Sequence, residues 1–195
     1  MRLGVFGGTF DPPHVGHLLA AVDACERLGL DRLLFVPAAT QPLKASRSAA
    51  PAADRLAMTR LLVAGDPRFA ADPTEVERGG LSYMVDTLRA LRAREPGATL
   101  VLCVGADAFA RFAEWREPAA IASLATVAVL ARDGNVPGAA ALAAVPGAIV
   151  VPVRRVDVSS TEIRARAAAG RSLHGFVTEP VAGYCSTHAL YRPRT

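Results

Sequence analysis

The chain has 195 residues, 51% of them hydrophobic, and a formal net charge of +4. That length suffices for one α/β domain, residues 1–195, with a sizeable core, and the hydrophobic share argues against disorder even though many of those residues are alanine. The charge is modest, the arginines are scattered without a lysine-rich block, and no long apolar segment occurs; a nucleic-acid partner, a membrane span and a leader are therefore not expected.

In chain order, Arg2 to Phe6 reads as a first strand, followed by the glycine-rich stretch Gly7-Gly8-Thr9-Phe10-Asp11-Pro12-Pro13-His14-Val15-Gly16-His17. A helix from His14 or Val15 to Leu28 follows, with Gly29 as its left-handed stop. Leu33 to Pro37 is a short buried strand, and the loop Ala38 to Pro51 carries Gln41 and Lys44. A loop of that length in a compact domain usually has a function or moves. Ala52 to Ala64 is a helix with an imperfect apolar stripe, Phe69 to Val76 a strand that Pro73 interrupts, and Tyr83 to Arg94 a helix with Ser82 as its cap.

Thr99 to Val104 is apolar throughout, as central parallel strands are. Short helices at Ala108–Phe112 and Pro118–Leu124 flank Trp115, the one tryptophan. Thr126 to Leu130 and Ala148 to Val151 are further strands, with a weak alanine-rich helix between them. Ser159-Ser160-Thr161-Glu162 has capping-box spacing and opens a helix that Gly170 ends; the tail from Pro180 to Leu190 is a last helix. Alternating short apolar strands and helices imply a Rossmann-like, doubly wound parallel sheet with helices on both faces, in a single domain. Ligands of such sheets lie at the carboxyl ends of the strands, near the switch in strand order. Cys25, Cys103 and Cys185 are far apart and without metal-type spacing, which suits reduced, buried thiols and a cytoplasmic protein.

Two stretches carry chemistry. After a strand, Gly7 to His17 offers small glycines and two imidazoles where a helix begins, a plausible cradle for polyphosphate. At the far end, Ser159 to Arg164 offers hydroxyls, free N–H groups and a guanidinium that can fork onto phosphate oxygens. Either alone could be an ordinary turn or an ordinary cap. Together, His-x-Gly-His after Gly-Gly-x-Phe-Asp-Pro and Ser-Ser-Thr-x-x-Arg resemble the two signatures of the nucleotidyltransferase superfamily related to class I aminoacyl-tRNA synthetases. Ser82-Tyr83-Met84-Val85-Asp86-Thr87-Leu88 resembles the Ser-Tyr-Thr-x-Asp-Thr-Leu segment of the bacterial nicotinate-nucleotide adenylyltransferases, with Met84 in place of threonine.

That resemblance implies transfer of AMP from ATP to nicotinic acid mononucleotide, with Mg²⁺ held mainly by the ATP phosphates and no metal cage built by the protein. It implies that His14 and His17 meet the phosphates and the reacting α-phosphate, and that Ser160, Thr161 and Arg164 hold the β and γ phosphates. Gly7, Gly8, Phe10, Gly16 and Ser159 complete that ATP side, and Gly105 and Asp107 look like the strand-end motif on the adenosine. Gly8, Thr9 and Phe10 would also touch the acceptor mononucleotide, with Lys44, Tyr83, Met84, Trp115 and Arg132. A backbone contact to the nicotinate carboxylate survives at Met84; a hydroxyl contact does not. The loop motif Pro-Pro-His-Lys of many relatives reads Gln41-Pro42-Leu43-Lys44 here, without the histidine. Three alternatives stay open: the pantetheine-phosphate enzyme, an enzyme for the amidated mononucleotide, and a nucleotide sensor without turnover. A homo-oligomer also stays open.

Overall fold

The computed structural model describes residues 1–42, 50–132 and 135–192. Six strands form one all-parallel sheet in the order β3-β2-β1-β4-β5-β6. They are β1 (Arg2–Gly8), β2 (Arg32–Pro37), β3 (Phe69–Ala71), β4 (Thr99–Gly105), β5 (Thr126–Ala131) and β6 (Ile149–Pro152). Strand order reverses between β1 and β4, so their C-terminal ends, Gly8 and Gly105, open the switch point where such sheets bind ligands.

Side-chain alternation along each strand divides the core in two. Leu33, Phe35, Val101, Cys103, Ala128 and Leu130 face one side, where Ala21, Met58, Ile163 and Val181 pack against them. These come from helices α1 (Val15–Leu28), α2 (Ala52–Val63), α8 (Ser160–Ala168) and α9 (Glu179–Thr187). Leu34, Val36, Leu100, Leu102, Val127 and Val129 face the other side, against Val85, Leu88, Leu91 and Ile121. Those belong to α4 (Met84–Arg94) and α6 (Pro118–Leu124). Leu-, Val- and Ile-rich strands with no polar face follow from burial on both sides. Among the described residues no helix is long and apolar enough to cross a membrane. All three cysteines are free and buried.

Three expectations need correction. The strand expected over Phe69–Val76 stops at Ala71, and helix α3 (Thr74–Arg78) begins just beyond Pro73. A proline cannot donate to a ladder, so it ends the strand, and the carboxylate of Asp72 takes the N–H of Thr74 at 2.9 Å to start the helix. The cap of α4 is Tyr83, not Ser82; the Ser82 hydroxyl instead accepts the Ala39 N–H at 2.9 Å. The helix expected to begin at Ala108 begins earlier, as α5 (Ala106–Phe109), and is followed by a separate 3-10 turn over Phe112–Glu114 before Trp115. The remaining short helix, α7 (Ala139–Ala143), buries none of its residues.

Candidate active site

The loop between β1 and α1 is shaped by local constraints. Phe10 takes a positive φ of 50°, a conformation costly for a side chain larger than glycine. Its ring offsets that cost by packing edge-on to Phe6 and His17, at 5.8 and 5.0 Å between centroids, and against Phe35 at 5.7 Å. Phe10 is 2% exposed, so its ring is core. A Cβ on Gly16 would lie 3.0 Å from Nδ1 of His14; the glycine is what lets that ring fold back over the helix start. A Cβ on Gly7 would meet the Met84 methyl at 2.5 Å, so this glycine admits Met84 beside β1.

His14 caps α1, and His17 sits three residues into it. Their rings lie 3.7 Å apart between centroids. The His14 N–H donates to Nδ1 of His17 at 3.2 Å, which leaves the neutral ring's proton on Nε2. Burial, with a smaller contribution from the Arg132 charge, lowers the His14 pKa to about 4. Burial, then His14 and then Arg132, holds His17 well below the usual imidazole value. Both are therefore neutral near pH 7. Nδ1 of His14 is buried without a hydrogen-bond partner among the described residues, a rare condition for a buried polar atom. At the start of α1 the Val15 N–H donates to the Phe176 carbonyl at 3.1 Å.

The histidines carry a stability consequence. Between pH 6.5 and about 4 the unfolded chain binds a proton that folded His14 refuses, so stability rises with pH there and is lost on acidification. A shift of that size corresponds to about 3 kcal/mol at the acid end. Thermal melts across the window should show Tm falling as pH falls, and a His14→Gln variant should show a flatter profile.

The second motif docks directly on the first. Ser159 caps α8, its hydroxyl accepting the Glu162 N–H at 3.1 Å. Ser160 Oγ donates to the Pro12 carbonyl at 2.9 Å, and Arg164 Nη1 to the Asp11 carbonyl at 2.7 Å. Arg164 Nη2 reaches Thr161 Oγ1 at 3.2 Å. Residues about 150 positions apart thus share one wall. The Asp11 carboxylate is held from two further directions, by the Tyr191 hydroxyl at 2.8 Å and the Ala50 N–H at 3.1 Å.

Beside this wall, across the ends of β1 and β4, lies a cleft of about 370 Å³ lined by Gly8, Ser82, Tyr83, Met84, Gly105 and Trp115, among others. The Trp115 ring rests on Phe112 at 5.3 Å, and the Arg116 guanidinium lies 4.8 Å from the centre of the Tyr83 ring. Thr9 Oγ1 bonds Gln41 Oε1 at 2.7 Å on the rim. Below the α4 N-terminus, Glu75 is 3% exposed and accepts the Thr87 hydroxyl at 2.5 Å; burial pushes its carboxyl up, against the pull of Thr87 and Ser82.

A smaller cavity holds Phe6, Gly105, Asp107, Arg132 and Asn135, with Asn135 donating to Asp107 at 2.9 Å. Arg132, which the resemblance assigned to the acceptor, therefore lines this cavity and acts on the histidines; it does not line the cleft of Tyr83 and Trp115. Lys44 lies outside the described residues. Sequence reasoning passed over Arg55 and Glu75. The one available signal for Arg55 was a charge beside Leu56 and Met58 in the apolar stripe of α2.

With this geometry established, comparison with known proteins is decisive. A cytidylyltransferase-like family model matches residues 5–166. A protein of Gemmatimonas aurantiaca named as a probable nicotinate-nucleotide adenylyltransferase is 48% identical, over 98% of this chain and 93% of its own. The chain belongs to the nicotinate-nucleotide adenylyltransferases of the cytidylyltransferase-like family. A second adenylyltransferase relative, named in the same way, from Thermus thermophilus, is 47% identical over 98% of this chain and all of its own. The fold is also that of the Plasmodium falciparum nicotinic acid mononucleotide adenylyltransferase complexed with NaAD. That structure superposes with a TM-score of 0.78 at 15% identity, covering 97% of each chain. Each of these two relatives matches over 98% of the chain.

Proposed function

We propose that this enzyme transfers AMP from ATP to nicotinic acid mononucleotide, giving nicotinic acid adenine dinucleotide and pyrophosphate. The observation that carries the reading is the docking of α8 on the Asp11–Pro12 carbonyls, which joins two phosphate-binding motifs into one clamp beside an aromatic cleft. The family and its relatives support the same chemistry.

In this reading an oxygen of the acceptor phosphate attacks the α-phosphorus of ATP, forming the new P–O bond. The bond from the α-phosphorus to the bridging oxygen breaks, and pyrophosphate leaves with that oxygen. Such transfer needs in-line positioning and charge stabilisation more than covalent help. His17 Nε2–H and His14 donate to the α-phosphate, and Arg164 with Thr161 neutralises the departing phosphates. Ser160 acts mainly by anchoring α8, since its proton is spent on Pro12. Gly7, Gly8 and Gly16 allow close approach, and Gly105, Asp107 and Arg132 serve the adenosine side. Tyr83 and Met84 present main-chain N–H groups to the pyridine carboxylate, and Trp115 offers the ring a stacking face.

The donor set at the clamp is imidazole, hydroxyl and guanidinium, unlike the oxygen cage that a hard cation prefers. Among the described residues no three His, Cys, Asp or Glu side chains gather as a metal site. Mg²⁺ therefore fits as part of the ATP substrate, bound by phosphate oxygens. The three free, buried thiols suit the reducing cytoplasm.

The test supplies ATP and Mg²⁺ with each acceptor in turn: nicotinic acid mononucleotide, its amide, and phosphopantetheine. Pyrophosphate release is expected to be fastest with the acid. Nucleotide binding without release for any acceptor would make the protein a sensor. Trp115→Ala should raise KM for the mononucleotide roughly tenfold, the value of one lost base stack, and leave KM for ATP nearly unchanged. Equal effects on both would make Trp115 a packing residue.

A further inference from the structure

Arg55, on α2, is 1% exposed and among the largest wholly buried side chains. Its guanidinium spends its donors on three main-chain carbonyls from three segments. Nη1 donates to Thr9 at 2.7 Å, Nη2 to Ala39 at 2.8 Å and Nε to Ala50 at 3.2 Å. The Asp11 carboxylate lies near enough to steady its charge. A buried cation is costly, and an apolar side chain of similar volume often serves stability as well or better. What the planar fork adds is a fixed geometry among the groups it binds.

Those groups belong to the two halves of the site. Thr9 lies between Gly8 and Phe10 in the phosphate loop. Ala39 follows Ala38 of the cleft wall, and its N–H continues the line to Ser82 Oγ at 2.9 Å. Ser82 lies beside Glu75 and draws its pKa down, and Glu75 accepts the Thr87 hydroxyl in the first turn of α4, beside Tyr83 and Met84. A line of hydrogen bonds and close polar neighbours thus runs from the phosphate loop, through Arg55 and beneath the cleft, to α4.

We infer that Arg55 is a positioning residue, which, through Ala39, Ser82 and Glu75, sets the distance between the ATP-binding loop and the wall that holds the acceptor. The inference rests on the proposed adenylyl transfer. The two substrates bind on opposite ends of this line, and the reaction needs the acceptor oxygen about 3–3.5 Å from the α-phosphorus and in line with the leaving oxygen. Neither substrate touches Arg55, so its effect falls on their mutual placement.

The experiment compares Arg55→Lys, which keeps a cation but loses the fork, with Ser82→Ala, which cuts the line one step further on. For each, kcat is measured with the acid mononucleotide. Calorimetry measures the Kd of a non-hydrolysable ATP analogue alone and of the mononucleotide alone, and a thermal melt reports folding. Both variants are expected to lose about 10²-fold in kcat, the usual result of a misplacement near 1 Å, while each single-ligand Kd stays close to that of the wild type. A folded variant with near-normal kcat, or one whose whole loss appears as a weaker Kd for a single ligand, would overturn the inference. If Arg55→Lys fails to fold, Ser82→Ala decides by the same criteria. Wild-type turnover in the acceptor series judges the proposed function separately, since only the difference between variant and wild type bears on Arg55.

Discussion

Replacing His17 with alanine is expected to lower kcat by about 10²–10³-fold, the usual result of losing one donor aimed at developing charge. The size follows from its surroundings. The ring is half-buried and neutral, and the His14 N–H on Nδ1 leaves Nε2–H as its one donor. A donor of that kind is already oriented before the transition state forms, so little reorganisation opposes it. The effect belongs on kcat more than on KM for ATP, because the charge it meets grows during transfer. Steady-state kinetics at saturating ATP checks this. Turnover within a few-fold of wild type would remove His17 from the reacting phosphate. His17→Asn, which keeps an amide donor, should recover part of the loss.

Arg164→Ala should lower kcat/KM for ATP by about 10²–10³-fold, because two effects combine. The variant loses a fixed positive charge for the leaving pyrophosphate. It also loses the 2.7 Å bond to the Asp11 carbonyl that holds α8 against the phosphate loop. Arg164→Lys separates them: an ammonium restores charge but cannot span both the Asp11 carbonyl and Thr161, so KM should recover more than kcat. Wild-type kinetics in both variants would restrict Arg164 to a solvated surface role.

The parts of the fold that were legible in the sequence are those with local causes. The glycines, prolines and histidines from Gly7 to His17 each signal a turn or a helix start by their own chemistry, and Ser159 with Glu162 signals a cap by spacing. Apolar runs such as Thr99 to Val104 identify central strands because both faces are covered. What was not legible depends on partners far along the chain. Ser160 reads as a phosphate donor from its motif, and only the fold shows that its hydroxyl also reaches the Pro12 carbonyl at 2.9 Å. Ser82 has the residue type and position of a helix cap, yet an amide of the loop after β2 takes it. Arg55 draws no reading from the sequence, since nothing nearby in it announces the three carbonyls that surround it. Arg132 is placed by the resemblance alone, and nothing local in sequence announces that it lines a cavity with Asp107 and lowers the pKa of His14.

The docking of α8 and Tyr191 on the Asp11–Pro12 turn has a temporal meaning as well as a spatial one. Gly7 to His17 are synthesised long before Ser160 to Arg164. In the interval the nascent chain carries the glycines and histidines without the guanidinium and hydroxyl that dock on the Asp11–Pro12 carbonyls. The docking of the two motifs is thereby postponed until all six strands of the sheet have been made.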